Sequence, residues 1–184
     1  MENVAFYREW LPLNKKEFRI LAMLADFGGE YHGNLTDMCR SPQHKNREAL
    51  REAIQHLTDR HYIESSVNGR TYSLRIIPKE KEIALPREWF ERVRTREYSS
   101  ESVSWEAVIK LLLWLIAHNP EVMITNQQIA DDLDVSVSVV VSAKNVLEKD
   151  FEAIVKQMIS DKLGEDFFIR RGQKIELSAW WKAK

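Results

Sequence analysis

Residues 41–77, SPQHKNREALREAIQHLTDRHYIESSVNGRTYSLRII, join a polar block, a helical repeat and an alternating segment in one run. Ser41 can cap a helix, and Pro42 suits its first turn, where a missing N–H costs nothing. Apolar residues at helical spacing then follow at Leu50, Ala53, Ile54 and Leu57. The pattern predicts a helix over residues 41–60 whose first turns are polar and whose later turns face a core.

The alternating segment, residues 62–77, surrounds the pair Asn68-Gly69, which is typical of a tight β-hairpin turn. Two helices are predicted before it, one in LNKKEFRILAMLADF, capped by Asn14, and a short one in NLTDMCR, from Asn34. Between them lies GGEYHG, which ends the first helix because three of the six glycines cluster there. The predicted order is helix, helix, helix, hairpin.

The second half of the chain shows the same order about 85 to 90 residues later. SWEAVIKLLLWLIAHN predicts an apolar helix, and TNQQIADDLDVSVSVVVSAKNVLEKDF predicts two more, divided at Asp134. DFFIRRGQKIELSAWW alternates around Gly172, which predicts a second hairpin. We therefore expect a mainly α protein with small β-hairpins, an α+β fold, with domains at residues 1–79 and 101–184.

Residues 80–100 are expected to connect these domains. The segment predicts an extended piece to Leu85 and a helix that opens at Pro86. Trp89, Phe90 and Val93 form one apolar stripe on that helix, so it should pack against a domain. A freely jointed linker would not need those side chains.

Composition describes an ordinary globular protein, with 44% hydrophobic and 30% charged residues among 184. The longest apolar run, residues 108–117, is too short to cross a membrane, and the N-terminal residues lack a secretory signal pattern. Cys39 is the one cysteine, so no internal disulfide can form. We expect a cytoplasmic protein that does not associate with membranes.

Charge is unevenly distributed although the net charge is −1. Residues 1–79 contain 12 lysines and arginines against 10 acidic residues, whereas residues 101–184 contain 10 against 13. A polyanion such as nucleic acid is attracted by local positive charge. The first half is therefore the better candidate for phosphate contact.

Three helices followed by a hairpin resemble the winged helix-turn-helix proteins, and the likeness covers about residues 13–78 and 104–182. In the second half, TNQQIADDLDVSVSVV (125–140) is similar to the turn motif of bacterial regulators. The resemblance implies that the third helix of a unit enters the major groove of DNA, while the hairpin, or wing, reaches an adjacent groove or the backbone.

The polar block at the start of the third helix then becomes a predicted DNA-reading surface. Side-chain amides can pair with the edge of adenine, and lysine or arginine suits guanine or phosphate. At the wing tip, an arginine can enter a narrow minor groove. The predicted contacts of the first domain are Ser41, Gln43, His44, Lys45, Asn46, Arg47, Arg51, Asn68 and Arg70. The alternative is a solvated helix face on which Glu48 and Glu52 pair locally with Lys45 or Arg51.

The second domain offers smaller and less charged groups at the same places. Its candidate DNA contacts are Thr125, Gln127, Ser136, Ser138, Lys144, Arg170, Arg171 and Lys174. Asp131 and Asp132 on its second helix oppose phosphate binding. This domain is therefore either a second DNA-binding unit or a module for dimerisation or partner docking.

Motifs for other chemistry are not found in the sequence. The five histidines and Cys39 lack the paired spacing of a zinc site, and no Gly-rich loop ends in Gly-Lys-Ser/Thr. No Gly-x-Ser-x-Gly elbow is present. We expect a non-enzymatic protein that needs no metal and no cofactor.

The expected function is sequence-specific binding of double-stranded DNA, either in bacterial transcription regulation or in replication initiation of a plasmid or phage. Two similar units can read two half-sites because the tether raises their effective concentration. Little chain remains for an effector domain, which favours the replication role. The competing hypothesis is a winged-helix adaptor that binds proteins, with no direct DNA contact by the second domain.

Overall fold

The computed structural model describes residues 2–39, 47–98, 103–118, 125–163 and 168–177. For Thr36, Cys39, Arg47 and the residues of the last two strands after Ile154 it describes the backbone only. The protein is α+β, with helices and small antiparallel sheets, as the sequence predicted. Its contacts divide the chain into two compact units, Met1–Arg92 and Val93–Lys184. Within the described ranges, no helix has the length and apolarity that a bilayer crossing requires.

The first unit contains both helices and strands. In chain order they are β1 (Asn3–Tyr7), α1 (Lys15–Asp26), β2 (Glu30–Gly33), α2 (Leu35–Cys39), α3 (Arg47–Asp59), β3 (Ile63–Asn68), β4 (Thr71–Ile76), β5 (Glu82–Pro86) and α4 (Arg87–Thr95), the last of which runs past the unit boundary. The sheets are antiparallel, one with the strand order β2-β4-β3 and one formed by β1 and β5. The unit thus contains the predicted three helices and hairpin, together with β1 before α1, β2 between α1 and α2, and β5 after the hairpin.

Aromatic side chains build the core of this unit around Phe6. Its ring centroid lies 6.0 Å from that of Trp10, 6.3 Å from Phe18 and 5.7 Å from Phe90. Asn14 caps α1 as predicted, because its side-chain oxygen accepts hydrogen bonds from the backbone N–H groups of Lys16 and Glu17 at 3.0 Å. The cap fixes where α1 begins and therefore which of its residues face the core.

The segment expected to be a separate connector contributes to the first unit. Strand β5 pairs with β1, with Leu85 opposite Val4 and Ile83 opposite Phe6. Trp89 of α4 is also buried. The unit boundary therefore follows Arg92 rather than residue 79, because β1 lies at the N-terminal end of the chain and finds its partner only in β5. Neither β1 nor β2 was predicted from the sequence.

The second unit contains α5 (Trp105–His118), α6 (Asn126–Leu133), α7 (Val137–Lys149), β6 (Ile154–Leu163) and β7 (Phe168–Leu177). Thr125 and Gln128 form a capping box at the start of α6, and Ser136 caps α7. Asp134 connects the two helices with a left-handed backbone, φ 50°. The Ser136 cap and the burial of Val140 and Leu147 stabilise α7 as a helix, although the local preference of its valines favours a strand.

The first hairpin forms where the sequence predicted it, with its turn one residue later, whereas the predicted turn of the second hairpin was misplaced. In the first unit Asn68 pairs with Thr71, so the turn residues are Gly69 and Arg70, and Gly69 supplies the positive φ of 62°. In the second unit the prediction of a turn around Gly172 is wrong, since Gly172 lies within β7 opposite Ile159. Strand β6 remains paired as far as Leu163, opposite Phe168, and the connection falls at residues 164–167, outside the described ranges.

Candidate nucleic-acid interface

Part of the predicted DNA-reading surface of the first unit can be located. Ser41, Gln43, His44, Lys45 and Asn46 lie outside the described residues. Position 47 begins α3, where only its backbone is described. The located side chains are those of Arg51 on α3 and of Asn68 and Arg70 on the hairpin, all three of which are exposed.

A hydrogen bond joins one flank of α3 to the wing, the hairpin of β3 and β4. The Thr58 hydroxyl lies 2.9 Å from the Ser65 hydroxyl of β3 and also donates to the Ile54 carbonyl at 2.8 Å. Leu57, next to Thr58 on α3, and Ile63, at the start of β3, are both buried. The helix and the hairpin are therefore connected by a side-chain hydrogen bond that favours one relative orientation.

The opposite flank of α3 is attached to α1 through a buried carboxylate. Glu17 is only 3% exposed, and its oxygens lie 3.5 Å from Nδ1 of His56 and 3.7 Å from a guanidinium nitrogen of Arg60. Because Arg60 is engaged here, its charge is directed toward α1. This flank therefore serves the packing of α3 rather than a ligand.

Arg51 lies on the wing-side flank. It precedes Thr58 by seven residues, which on an α-helix returns to nearly the same side about 10 Å closer to the N-terminus. Position 47 is one further turn away on that flank. Exposed Glu48 and Glu52 project farther from the wing and would repel phosphate there. On the described part of α3, the wing-side flank is thus the exposed face with the least negative charge.

Two arginines of the wing differ in their partners: one is paired with a carboxylate and the other has no partner among the described residues. Arg75, in the middle of β4, donates through two nitrogens to one Glu64 oxygen at 2.7 and 3.0 Å. Arg70 in the turn is exposed and has no such neighbour among the described residues. Val67 beside the turn is 57% exposed, which leaves an apolar contact surface near the tip. The tip therefore combines available positive charge with an apolar surface.

Arg51 and Arg70 differ from the other arginines in having no described partner. Among arginines whose side chains the structure describes, these two alone have no ion pair, hydrogen bond or ring contact with a described residue. An exposed guanidinium that no protein group neutralises is the group best suited to phosphate or a base edge.

In the second unit, four of the predicted contacts are exposed but take part in hydrogen bonds at helix starts. The Thr125 hydroxyl accepts from the Gln128 N–H, and the Gln127 amide donates to Asp131 at 2.7 Å. Ser136 and Ser138 share a hydrogen bond of 2.9 Å. They are neutral groups, and the aspartates beside them place negative charge where phosphate would approach.

The prediction that Lys144 contacts DNA is wrong for the folded chain. This lysine is 2% exposed, and its ammonium group donates to the side-chain oxygen of Asn126 on α6. Lys110 of α5 is similarly buried and donates to the Leu133 carbonyl at 3.0 Å, at the C-terminal end of α6. Both lysines fix α6 between its neighbours.

The three basic residues predicted on the second hairpin all lie in β7. Arg170 is opposite Asp161, Arg171 opposite Ser160, and Lys174 opposite Gln157 in the strand register. Arg170 and Arg171 follow one another, so they belong to opposite faces of the sheet. One hairpin face therefore carries at most two of the three basic residues.

The outward face of α7 is largely uncharged. Val137 is 36% exposed and Val141, one turn later, is 39% exposed. The neighbouring helix α6 and its turn expose Asp131, Asp132 and Asp134. This surface is apolar with an acidic edge, the reverse of the wing-side flank of α3.

Sequence reasoning missed the contacts that orient α3. Glu17 lies four residues before Leu21, on the apolar stripe of α1, and a lone acid on such a stripe was the signal for a buried ion pair. No comparable signal exists for Thr58 and Ser65, because small hydroxyl side chains occur on exposed and half-buried surfaces alike.

Comparison of the chain with known protein families, with curated proteins and with solved structures gives no match. The residues and their geometry are therefore the basis for a functional assignment.

Proposed function

We propose that the protein binds double-stranded DNA through its first unit, in the manner of a winged helix-turn-helix. In this proposal the N-terminal end of α3 enters the major groove, and the wing contacts the neighbouring backbone or minor groove. One observation carries the proposal: the two arginines without a described partner, Arg51 and Arg70, lie on the wing-side flank of α3 and at the wing tip.

The arrangement of charge around this surface supports the same reading. Arg60 is engaged by Glu17, and Arg75 by Glu64. The polar residues 41–46 immediately precede α3, and Lys45 among them adds a further positive charge. Free backbone N–H groups and the helix dipole also favour phosphate at a helix N-terminus. Positive charge is thus available on the side that a groove-bound helix presents to DNA.

The broader role that we propose is transcription regulation, or replication initiation of a mobile element such as a plasmid or phage. Both units contain three helices and a following hairpin, and two tandem winged helices could read repeated sites.

The first experiment compares Arg51→Ala with Arg70→Ala, singly and combined, in fluorescence-anisotropy titrations on a random-sequence duplex over a range of salt concentrations. The double variant is expected to lose about tenfold in affinity. The slope of the logarithm of the binding constant against the logarithm of the salt concentration should fall in magnitude by about two, one for each lost phosphate contact. Unchanged affinity and slope in the double variant would remove this surface from the proposal.

Arg75→Ala is the matched control on the same sheet, because it removes one positive charge from a residue already neutralised by Glu64. Its affinity should remain within about twofold of the unaltered protein. An effect as large as that of Arg70→Ala would mean that net charge alone, rather than this surface, determines binding.

Lys45→Ala with Arg47→Ala tests the sequence-based part of the surface. We expect a marked loss of affinity, since the first turns of a recognition helix approach base edges most closely. Selection from random duplexes with the same variant would also reveal a change in the preferred sequence if these residues read bases.

A second function is favoured for the second unit by the burial of Lys144 and the exposed Val137 and Val141. A neutral, partly apolar helix face bordered by aspartates suits a protein partner better than phosphate. We propose that this unit contributes protein contacts. Pull-down of a tagged second copy, with Val141→Asp as the control, tests homodimerisation directly.

A further inference from the structure

The first unit contains a cleft of about 520 Å³ that the DNA-binding surface does not use. On one side lies the outer face of β1, with Ala5 and Tyr7, and on the other lie the glycine pair after α1 and the end of β4. The volume falls within the range of small-molecule sites.

Tyr7 provides a polar group inside this cleft. The residue is 7% exposed, and its ring packs edge-on against Trp10 at 5.0 Å. Its hydroxyl forms no hydrogen bond with any residue that the structure describes. Burial raises the pKa of Tyr7, and Glu82 raises it further, so the hydroxyl stays protonated as a donor at neutral pH. Since Tyr7 lines the cleft and its hydroxyl has no acceptor among the described residues, the hydroxyl can donate to a ligand that supplies one.

The charges that line the cleft favour a cation. Arg75 is bound to Glu64, and Arg87 to Asp26 and, at 3.1 and 3.2 Å, to Glu2. The two guanidinium groups are therefore already neutralised. Glu30 lies opposite Arg75 in the sheet, lines the cleft, and has no partner among the described side chains. The group that remains available is a carboxylate.

Small residues keep the apolar part of the cleft open. Gly28 and Gly29 have left-handed backbones, with φ of 81° and 92°, and the position of a Cβ on either would meet no atom within 4 Å. Ala5 and Ala25 add short apolar side chains, and Ile76 and Ile77 complete the wall. A compact apolar body can therefore rest there.

We propose that this cleft binds a small organic amine, whose ammonium group is held by Glu30, whose apolar body covers Ala5 and Ala25, and whose far end accepts a hydrogen bond from Tyr7. The proposal does not rest on DNA binding, since none of these residues belongs to the wing-side flank of α3 or to the wing tip.

The test is calorimetry and ligand-observed NMR on the full chain with two matched probes. Tyramine has an ammonium group and a phenol oxygen, and tyrosol replaces the ammonium with a neutral hydroxyl. Tyramine should bind at least about fivefold more tightly, as expected for a partly exposed ion pair. Equal affinities, or no tyramine binding at about 10 mM, would refute the proposal.

Variants assign the two contacts. Glu30→Gln should abolish the preference for tyramine over tyrosol, and Tyr7→Phe should weaken both probes by about threefold through the lost hydrogen bond. Ala5→Met should fill the cleft and prevent binding of either probe. Glu48→Gln is the control, because it removes an exposed carboxylate of the same unit outside the cleft. If tyramine binds every variant as it binds the unaltered chain, it does not occupy this cleft.

Discussion

The third helix of the first unit and the last helix of the second follow the same helix order but expose different chemistry. On α3 the arginine at position 51 is exposed and has no described partner, whereas on α7 the lysine at position 144 is buried against Asn126. The outward face of α7 instead presents Val137 and Val141. A shared arrangement of helices therefore does not imply a shared ligand, because the ligand is selected by the side chains that face away from the core.

The flanks of the two helices differ in the same way. Thr58 connects α3 to the wing, and Glu17 connects its other flank to α1. Neither contact uses the N-terminal end of α3 or the Arg51 side chain, so a ligand could bind there. In the second unit, buried Lys110 and Lys144 direct their charges inward to α6, so these two charges stabilise the fold and are unavailable to a polyanion.

The contrast between the two helices would be wrong if Lys144 contacted DNA. Replacing Lys144 with alanine should give the largest effect among the variants proposed for this contrast. Lys144→Ala should lower the free energy of unfolding by about 2 kcal/mol, since it leaves a cavity and an unpaired Asn126 side chain. Urea unfolding followed by circular dichroism measures this loss. The control Lys149→Ala, at the exposed end of α7, should change it by less than about 0.5 kcal/mol. Unchanged stability together with weaker DNA binding would return Lys144 to the DNA-binding surface.

Two variants with the same change in net charge compare the two helices directly, and their expected effect on DNA affinity is the next largest. Arg51→Ala and Val141→Asp each lower the net charge by one, on α3 and on α7 respectively. Arg51→Ala should weaken binding to duplex DNA about fivefold, or about 1 kcal/mol, and Val141→Asp should stay within about twofold. Anisotropy titrations at constant salt measure both. Equal losses would mean that the two helices contribute equally to DNA binding.

Periodicity predicted the helices of both units and most of their buried faces. Periodicity also predicts the burial of Lys144. This lysine follows Val140 by four residues and precedes Leu147 by three, so it belongs to the apolar stripe of α7. The sequence prediction treated this lysine by residue type alone. Arg51 lies off the corresponding stripe of α3, between Leu50 and Ala53, and its exposure was predictable.

The pairing of distant strands could not be read from periodicity. β1 is a five-residue strand whose partner β5 begins 75 residues after β1 ends, and β2 lies in a glycine-rich segment that was interpreted as a loop. Such pairs form because a buried backbone must be hydrogen-bonded, a requirement that depends on the tertiary fold. The cleft beside Tyr7 exists only where these strands meet α1, which is why no local motif predicted it.

The smallest expected effect concerns the contact that orients the wing. Thr58→Val and Ser65→Ala each remove one side of the hydroxyl pair, and a double-mutant cycle should give a coupling of about 0.5 to 1 kcal/mol in unfolding free energy. Ser66→Ala, an exposed neighbour on the same strand, is the control and should show no coupling with Thr58→Val. DNA affinity should fall by about twofold in Thr58→Val, since a less firmly held wing must be ordered on binding. Zero coupling would mean that apolar packing of Leu57 and Ile63 alone fixes the wing, and the orientation of Arg70 would then depend on the core rather than on this hydrogen bond.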